Sequence, residues 1–343
     1  MTRKRAAPTP RRRLAPKRHT ADPTAEWLSQ LLDPAVVQLE LRTMGLPASL
    51  SVRLNTIAAA RHTLTQWTHA IASGKALTTH ELRAYALAFY GLLPCLAPSD
   101  ATAPVPSCLL PLEPLHDAVA LLHNQCLTQS IASTKHLYGQ LQPLSSRNDA
   151  GCQRLLECAR STRGIYAGVR TKHVWAIHAA PIDATIGNHQ LLFYGARGSA
   201  VAAILAHGLR IDTTSDGRHL RYGRGVYLSN SMEDAMTHMG DGVGAGCVFV
   251  VQAALGAVHT LVDGPTPQWQ SAPDGYDAVR VPGAMTPASS RCIVDGLHMA
   301  HGPLVHQETP LMQRHDTYVV YRETQVRLRY VITFQGISDD DDE

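Results

Sequence analysis

The sequence predicts an α+β protein in which an all-helical block is followed by a domain built mainly from strands. In the first half of the chain, apolar residues recur at spacings of three and four, the period of an amphipathic helix. In the second half, short apolar runs stop at glycines, and the last run alternates as strands do. With 343 residues and 45% hydrophobic composition, the chain can bury one large or two moderate cores, so we expect two domains.

The two ends of the chain carry opposite charge. Residues 1–20 contain eight lysines and arginines and no acid, whereas residues 339–343 are all acidic. The remaining residues contain 23 bases and 23 acids, so attraction to a polyanion would come mainly from the basic end. We expect residues 1–24 to be a disordered tail that directs nuclear import, contacts nucleic acid, or only keeps the protein soluble. Residues 336–343 are expected to be an acidic tail.

Composition argues against a membrane protein and against a metal site. No apolar run approaches the length of a bilayer span, and no apolar stretch follows the basic N-terminus as a secretory signal requires. The seven cysteines are odd in number and scattered, without a CxxC motif, so we expect reduced thiols and no bound metal. These features predict a soluble intracellular protein that does not contact a membrane, and the basic tail favours the nucleus.

We expect helices through residues 25–165. Short helices at 25–32 and 34–44 open this block, and a long helix follows from about residue 49 to Ser73. The apolar face of the long helix is formed by Leu50, Leu54, Ile57, Leu64, Trp67 and Ile71. A face of this kind predicts packing against other helices of the block.

Local signals mark the later helices of the block. Thr78 and Glu81 have the spacing of a capping box, which starts a helix that ends before Pro94. Residues 97–114 are rich in proline and alanine and have no clear period, so we predict a loop there. A further amphipathic helix is predicted from the spacing of Leu115, Val119, Leu122 and Cys126, and a last short one at residues 148–161.

The second domain is expected over residues 166–335. Its predicted elements are a strand at 174–177, a strand at 191–193, a helix at 199–206, a strand at 226–228 and a helix capped by Ser231. Tyr194 and Tyr227 each lie beside glycines that let a ligand approach the backbone closely, and such a slot suits a flat ring. The last strand, residues 326–334, alternates apolar and other residues, which predicts one well-buried face.

The motifs of this second domain resemble those of a known family. Residues 192–197 (LFYGAR), 207–211 (HGLRI) and 223–228 (GRGVYL) resemble, in order and spacing, the NAD-binding core of the poly(ADP-ribose) polymerase family. Residues 247–256 (CVFVVQAALG), 275–279 (GYDAV), 318–321 (YVVY) and 325–330 (QVRLRY) are similar to its following strands and acceptor-side loop. The resemblance implies a mixed, mainly antiparallel ADP-ribosyltransferase fold, NAD as the substrate and protein acceptors as partners.

The helical block has a looser resemblance of its own. Residues 44–50 (MGLPASL) and 82–94 (LRAYALAFYGLLP) resemble parts of the helical regulatory domain that precedes the catalytic domain in the DNA-dependent polymerases. There the helical domain restricts the entry of NAD until it is released. An unrelated helical bundle is the alternative interpretation of these residues.

The family resemblance implies specific roles in binding NAD. The Gly195 backbone would clamp the carboxamide of nicotinamide, and the Tyr227 ring would stack on the nicotinamide ring. Ala235 stands where the family has a serine that binds the carboxamide, and His238 stands where it has a second stacking tyrosine. Transfer of ADP-ribose also needs groups that stabilise an oxocarbenium-like transition state.

Those stabilising groups are changed in this chain. The family's histidine, tyrosine and glutamate correspond here to Tyr194, Tyr227 and Thr317. Thr317 has no charge, and the nearby acids do not replace it, because Asp316 should face the opposite side of its strand and Glu323 lies six residues on. Polymer synthesis is therefore not expected.

Two functions from different classes remain open. The chain could be a mono-ADP-ribosyltransferase in which Tyr194 donates its hydroxyl to the ribose and the acceptor side chain supplies the base. It could also be an inactive relative that acts as a nuclear binding or interaction module, with a closed pocket or another nucleotide in it. An open slot between Gly195, Tyr227 and His238 would favour the enzyme, and a Tyr194 ring that fills the slot would favour the inactive module.

Overall fold

A computed structural model gives the arrangement of the folded parts of the chain. It describes residues 22–33, 35, 42, 53–73, 77–93, 96, 112–130, 137, 140–145, 148–211, 220–239, 246–309 and 313–335. The basic tail up to residue 21, the acidic tail, most of the predicted helix at 34–44 and residues 97–111 of the predicted loop lie outside the described residues.

The helices of the first half follow the predicted order. They are α1 (Pro23–Leu31), α2 (Leu54–Ala72), α3 (Thr79–Leu92), α4 (Leu112–Ser130) and α5 (Ala150–Ser161). The capping box of Thr78 and Glu81 is confirmed, since each side chain accepts the other residue's backbone N–H. The loop prediction is wrong at its end, because α4 begins at Leu112 rather than after residue 114. None of the described helices is long and apolar enough to span a bilayer.

Helices α2, α3 and α4 share one apolar core. Ile57, Leu64 and Trp67 of α2 are fully buried there, together with Phe89 of α3. The core also takes up three of the four residues predicted for the face of α4, namely Leu115, Val119 and Leu122, and Cys126 packs at its edge. The prediction for α2 is wrong at Leu54 and Ile71, which are 38% and 45% exposed because they lie in its first and last turns, outside the packed stretch.

The second half forms a mixed, mainly antiparallel sheet, as predicted. Its strands are β1 (Leu141–Pro143), β2 (Thr171–Ile177), β3 (His189–Ala196), β4 (Val226–Ser229), β5 (Cys247–Ala254), β6 (Val258–Thr260), β7 (Ala278–Val281), β8 (Met285–Val294), β9 (Leu297–His306), β10 (Thr317–Val320) and β11 (Val326–Phe334). They run in the order β1-β2-β11-β5-β3-β4-β10-β7-β6, with the β8–β9 hairpin attached to β3. Only β3 with β9 and β6 with β7 pair in parallel among the described strands.

Two further helices connect these strands, α6 (Gly198–His207) and α7 (Met232–Thr237). Apolar side chains of α1 and α6 cover one face of the sheet, and those of α5 and α7 cover the other. The core strand β5 is accordingly buried along its whole length. This two-sided cover fixes the strands that carry the residues of the site.

The sheet nearly divides between β3 and β4. Strand β3 pairs with β5 along eight residues but meets β4 only where Phe193 pairs with Ser229. The strands therefore separate beyond this pair, and the residues after Phe193 border an opening instead of a neighbouring strand. This opening determines where a ligand can enter.

The prediction of one buried face for the last strand is wrong. The pairing of β11 with β5 shifts register between Leu328 and Tyr330, as at a β-bulge. Past this point Val331 and Ile332, which are neighbours in the chain, are both fully buried. The strand lies in the middle of a sheet that is covered on both faces, so a strict alternation of buried and exposed residues does not hold.

Some residues before the predicted domain boundary at 165 pack on the sheet. Strand β1 pairs with β2, Leu155 of α5 lies in the core beneath the sheet, and the Trp27 ring of α1 stacks on Trp175 of β2 with 4.5 Å between the ring centres. The division into domains at residues 24, 165 and 335 stays a prediction.

Candidate active site

A cavity of about 670 Å³ lies at the opening between β3 and β4. Its wall is formed by these two strands, by α6, α7 and residues 313–317, and by one side of α4. All six residues predicted for the site border this one cavity: Tyr194, Gly195, Tyr227, Ala235, His238 and Thr317. The fold thus brings together residues that are up to 123 positions apart, while their individual roles stay predictions.

Gly195 lies where β3 passes α7 most closely. A Cβ atom at this position would be 1.7 Å from the carbonyl oxygen of Ala235 and 3.1 Å from the Cβ of His238. Helix α7 starts next to this contact because the Ser231 hydroxyl accepts the N–H of Asp234. Only glycine fits at position 195, and its backbone is held against the helix that carries Ala235 and His238.

Tyr227 presents its ring to the cavity while its hydroxyl is held by backbone. The hydroxyl accepts the N–H of Tyr222 at 3.0 Å and donates to the carbonyl oxygen of Gly223 at 2.8 Å. The two tyrosine rings stack with 6.4 Å between their centres. Burial raises the pKa of Tyr227 to about 12, so the hydroxyl stays protonated near neutral pH. A ligand can therefore use the ring of Tyr227 more readily than its hydroxyl.

Tyr194 forms part of the cavity wall and does not close it. Its side chain packs at the edge of the apolar core that contains Leu192, Ala196 and Phe249. Since successive residues of a strand face opposite sides, Tyr194 faces α6 whereas Gly195 faces α7. Burial raises the pKa of Tyr194, which keeps its phenol neutral. Gly195, Tyr227 and His238 border the same cavity as Tyr194.

Thr317 borders the cavity without a carboxylate beside it. Its hydroxyl accepts a hydrogen bond from Nε2 of Gln313 at 3.1 Å, and Oε1 of Gln313 accepts the hydroxyl of Tyr222 at 2.6 Å. The side chain of Asp316 is fully buried on the opposite face, as predicted, where Arg280 and the N–H of Gly283 bind its oxygens at 2.7 and 2.8 Å. Among the described residues that border the cavity, the carboxylates are Asp117 and Asp234.

Glu323, the other acid near Thr317 in the sequence, also lies outside the cavity. It forms an ion pair with Arg210 at 2.6 Å and accepts the N–H of Ile211 at 2.8 Å. Asp316 and Glu323, the two acids considered as replacements for the family's glutamate, thus both make structural contacts outside the cavity.

Several residues of the cavity were not predicted from the sequence. They are Asp117, Arg197, Arg221, Gln313, Arg314 and His315. Arg197 belongs to the LFYGAR motif, so this motif was a signal that could have identified it as a site residue. Asp117 belongs to a helix about 80 residues earlier, and no local spacing in the sequence connects it with β3. Three guanidinium groups on one cavity suit an anionic ligand such as a phosphate.

No group of three or more His, Cys, Asp or Glu side chains that could hold a metal ion occurs in the described part of the chain. The polar side chains that border the cavity are those of tyrosine, serine, threonine, glutamine, histidine and arginine, together with two carboxylates that lie on different helices.

Comparisons with known proteins agree with this geometry. Residues 170–336 match the family model described as the poly(ADP-ribose) polymerase catalytic domain. Protein mono-ADP-ribosyltransferase PARP3 of Mus musculus is 29% identical over 214 residues, which cover 56% of this chain and 38% of that protein. The Homo sapiens protein of the same name is 30% identical over 182 residues, 47% of this chain and 33% of the relative. Poly [ADP-ribose] polymerase 1 of Xenopus laevis is 28% identical over 152 residues, 42% of this chain and 15% of the relative.

The sheet and these matches define a protein with an ADP-ribosyltransferase fold. Residues 170–336 belong to the family of poly(ADP-ribose) polymerase catalytic domains. The chain's matches span less than two fifths of the length of these curated relatives.

Proposed function

We propose that this protein binds NAD in the cavity between β3 and β4 and transfers a single ADP-ribose unit to a protein acceptor. The observation that carries this proposal is the open cavity of about 670 Å³ that all six predicted residues border. Two of the relatives described above are named mono-ADP-ribosyltransferases, which supports transfer of a single unit.

The residues of the cavity have complementary roles in this proposal. The backbone of Gly195 holds the carboxamide, while the ring of Tyr227 stacks on the nicotinamide and His238 lies at its edge. The hydroxyl of Tyr194 binds the ribose. Arg197 and Arg221 face the pyrophosphate, whose two negative charges need cationic partners.

Polymer synthesis is disfavoured by the same residues. Elongation requires a carboxylate that orients the hydroxyl of the growing chain, and Thr317 cannot supply one. Each lost electrostatic contact to a transition state costs on the order of 10²- to 10³-fold in rate. Because Tyr194, Ala235 and Thr317 all differ from the family pattern, we expect slow transfer that stops after one unit.

An inactive binding module is the second candidate. It is favoured by the hydrogen bond between Gln313 and Thr317 and by the structural contacts of Asp316 and Glu323, which leave no acid at the family's glutamate position. In this case the cavity would bind NAD or another nucleotide without breaking it.

The location of the protein, its contact with nucleic acid and the role of its helical block are further parts of this proposal. We place the protein in the nucleus because of the basic cluster at residues 1–20, which could also contact nucleic acid. The helical block would control the entry of NAD, since α4 forms one side of the cavity wall.

The test of activity is incubation of the full chain with NAD labelled in its adenylate part, together with candidate acceptor proteins. We expect weak labelling that corresponds to single units. The double variant Tyr194→His, Thr317→Glu should label more strongly, by on the order of 10²-fold or more, because it restores two polar contacts.

A pair of threonine variants controls this experiment. Thr317→Trp would place a large ring in the cavity and should abolish labelling, whereas Thr260→Trp places the same ring on the exposed edge strand β6 and should change nothing. Labelling by the double variant alone would support the inactive module instead. Absence of both labelling and NAD binding in every variant would refute the transferase and the inactive module that binds NAD.

A further inference from the structure

A buried histidine borders the cavity close to Thr317. His315 lies two residues before Thr317 in extended backbone, so the two side chains face the same side. Its side chain is only 4% exposed, and neither ring nitrogen has a hydrogen-bond partner in the described part of the chain. A buried imidazole without partners is costly unless a ligand or water binds it. This side chain is therefore a candidate for contact with a bound substrate.

A buried carboxylate stands behind this histidine. Oε1 of Glu233 lies 3.4 Å from Nε2 of His315, and Glu233 is 1% exposed. Arg314 binds the same oxygen through Nε at 2.8 Å and Nη2 at 2.7 Å, and the N–H of Ile165 binds the other oxygen at 3.3 Å. These contacts fix the carboxylate on α7 where it faces the imidazole.

The glycine at position 164 makes room for this arrangement. A Cβ atom there would lie 1.4 Å from Oε2 of Glu233, and the φ angle of 51° also favours glycine. The backbone on the far side of Glu233 is thus shaped to accept the carboxylate.

We infer that His315 is the general base of the transfer reaction, held in position by Glu233, and that this pair replaces the missing carboxylate at position 317. The inference rests on the proposed function. This role requires the tautomer with the proton on Nε2, the nitrogen that lies 3.4 Å from the carboxylate, which leaves Nδ1 as the acceptor. A histidine with a carboxylate behind it is the arrangement in which an imidazole acts as a general base.

The transfer breaks one bond at C1′ of the ribose and forms another there. The bond between the nicotinamide nitrogen and C1′ of the ribose breaks, and the electron pair leaves with neutral nicotinamide. The acceptor oxygen forms a bond to C1′, and its proton moves to Nδ1 of His315. The carboxylate of Glu233 stabilises the imidazolium that results, and the proton is then released to water.

Other charged groups share the cavity and set the local field. They are Arg314 beside His315, Asp234 on α7, His238 directly after α7, Asp117 on α4, Arg197 directly before α6 and Arg221 before β4. Asp117 and His238 are exposed and Asp234 is half-exposed. Asp316 faces away and is bound to Arg280. His315 is thus the buried titratable group that the cavity wall places next to Thr317.

The test compares His315→Gln with the wild type in NAD affinity and in the rate of label transfer. We expect the variant to bind NAD with unchanged affinity and to transfer label about 10²- to 10⁴-fold more slowly, the usual range for the loss of a general base. The matched control His298→Gln changes an exposed histidine on β9 and should transfer normally. Addition of Thr317→Glu to His315→Gln should restore transfer and so demonstrate an intact fold.

Substitution of Glu233 gives a second readout. Glu233→Gln should slow transfer and leave NAD affinity unchanged, because the carboxylate acts only through the imidazole that it positions. For the same reason, the double variant Glu233→Gln, His315→Gln should transfer no more slowly than His315→Gln alone. A purely structural role for Glu233 would make the effects of the two substitutions additive.

The outcomes separate the two proposals. If the wild type transfers label and His315→Gln transfers it equally fast, the role of His315 is refuted and the proposed function stands. If the wild type transfers no label under any condition, the proposed activity fails, and the role of His315 fails with it.

Discussion

Gly195 occupies a position at which no side chain fits. The carbonyl oxygen of Ala235 fills the place of its Cβ, so the backbone of β3 touches the backbone of α7. A planar amide that enters the cavity would meet bare backbone at this point, with peptide groups available as hydrogen-bond partners. The single residue thus sets both the local packing and the surface offered to a ligand.

We predict that Gly195→Ala destabilises the protein and weakens NAD binding together. The added methyl group must push α7 away, which should lower the free energy of unfolding by about 1–3 kcal/mol. The measurement is urea denaturation followed by NAD titration. Gly187→Ala is the control, since its Cβ would meet nothing within 4 Å. Equal effects of the two variants would show that the contact with Ala235 is unimportant.

The half-buried tyrosine at position 227 should make stability depend on alkaline pH. In an unfolded chain a tyrosine ionises near pH 10, whereas burial raises the pKa of Tyr227 in the folded protein to about 12. The folded state therefore keeps its proton longer, and stability falls as the pH rises above about 10 but not below it. By pH 11 we expect Tyr227 alone to contribute a loss of about 1 kcal/mol.

Denaturation by urea at pH 8 and at pH 11 measures this loss. Tyr227→Phe should be less stable than the wild type at pH 8, by about 1 kcal/mol, because the N–H of Tyr222 loses its acceptor. It should also lose less stability between the two pH values. An identical loss in the variant and the wild type would contradict the assignment to Tyr227.

The site could be predicted from the sequence only in part. The family resemblance and the alternation of strand residues pointed to Tyr194, Gly195, Tyr227 and Thr317, and to the position of Asp316 on the opposite side of its strand from Thr317. They could not point to His315 or Glu233, because the pair forms only where α7 and the segment before β10 meet, 82 residues apart in the chain. A contact between distant elements leaves no signal in local spacing.

Short helices with explicit start signals are the elements that sequence predicts best in this chain. The Thr78–Glu81 capping box and the Ser231 cap of α7 were predicted, and both satisfy backbone N–H groups at helix starts. The buried face of strand β11 was predicted wrongly, because its bulge changes the side of the sheet that each later residue faces. Bulges depend on the pairing of neighbouring strands, which a single sequence does not specify.

Loss of the α3 cap should be measurable in the whole protein. Thr78→Ala removes the side-chain partner of the Glu81 N–H and should lower the free energy of unfolding by about 1 kcal/mol. Thr63→Ala, an alanine substitution inside α2, is the control and should be neutral or slightly stabilising. Thermal or urea denaturation measures the free energy of unfolding of both variants. An equal loss of stability in the two variants would contradict the stabilising role of the cap.

The two halves of the molecule meet at the cavity. Helix α4 packs against α6, and Asp117, Ala120 and Leu121 form part of the cavity wall, while Leu121 also belongs to the helical core. A change in the packing of the helical block would therefore change the shape of the cavity. This geometry supports our proposal that the block controls the entry of NAD.

The charge of Asp117 gives a way to test the influence of α4 on binding. Its carboxylate repels the phosphates of NAD, so Asp117→Asn should tighten binding, by about two- to fivefold because the side chain is exposed and screened. Asp183→Asn removes an acid outside the cavity and is the control. A result in which both variants bind like the wild type would mean that α4 does not act on the ligand electrostatically.

Titration of the full chain with NAD tests most directly whether the opening between β3 and β4 is the binding site. Calorimetry should show one NAD per chain. Thr317→Trp should weaken binding at least about tenfold, which corresponds to about 1.4 kcal/mol, and Thr260→Trp should bind like the wild type. Binding of NAD with equal affinity by both variants, or no binding by the wild type, would contradict the assignment of this cavity.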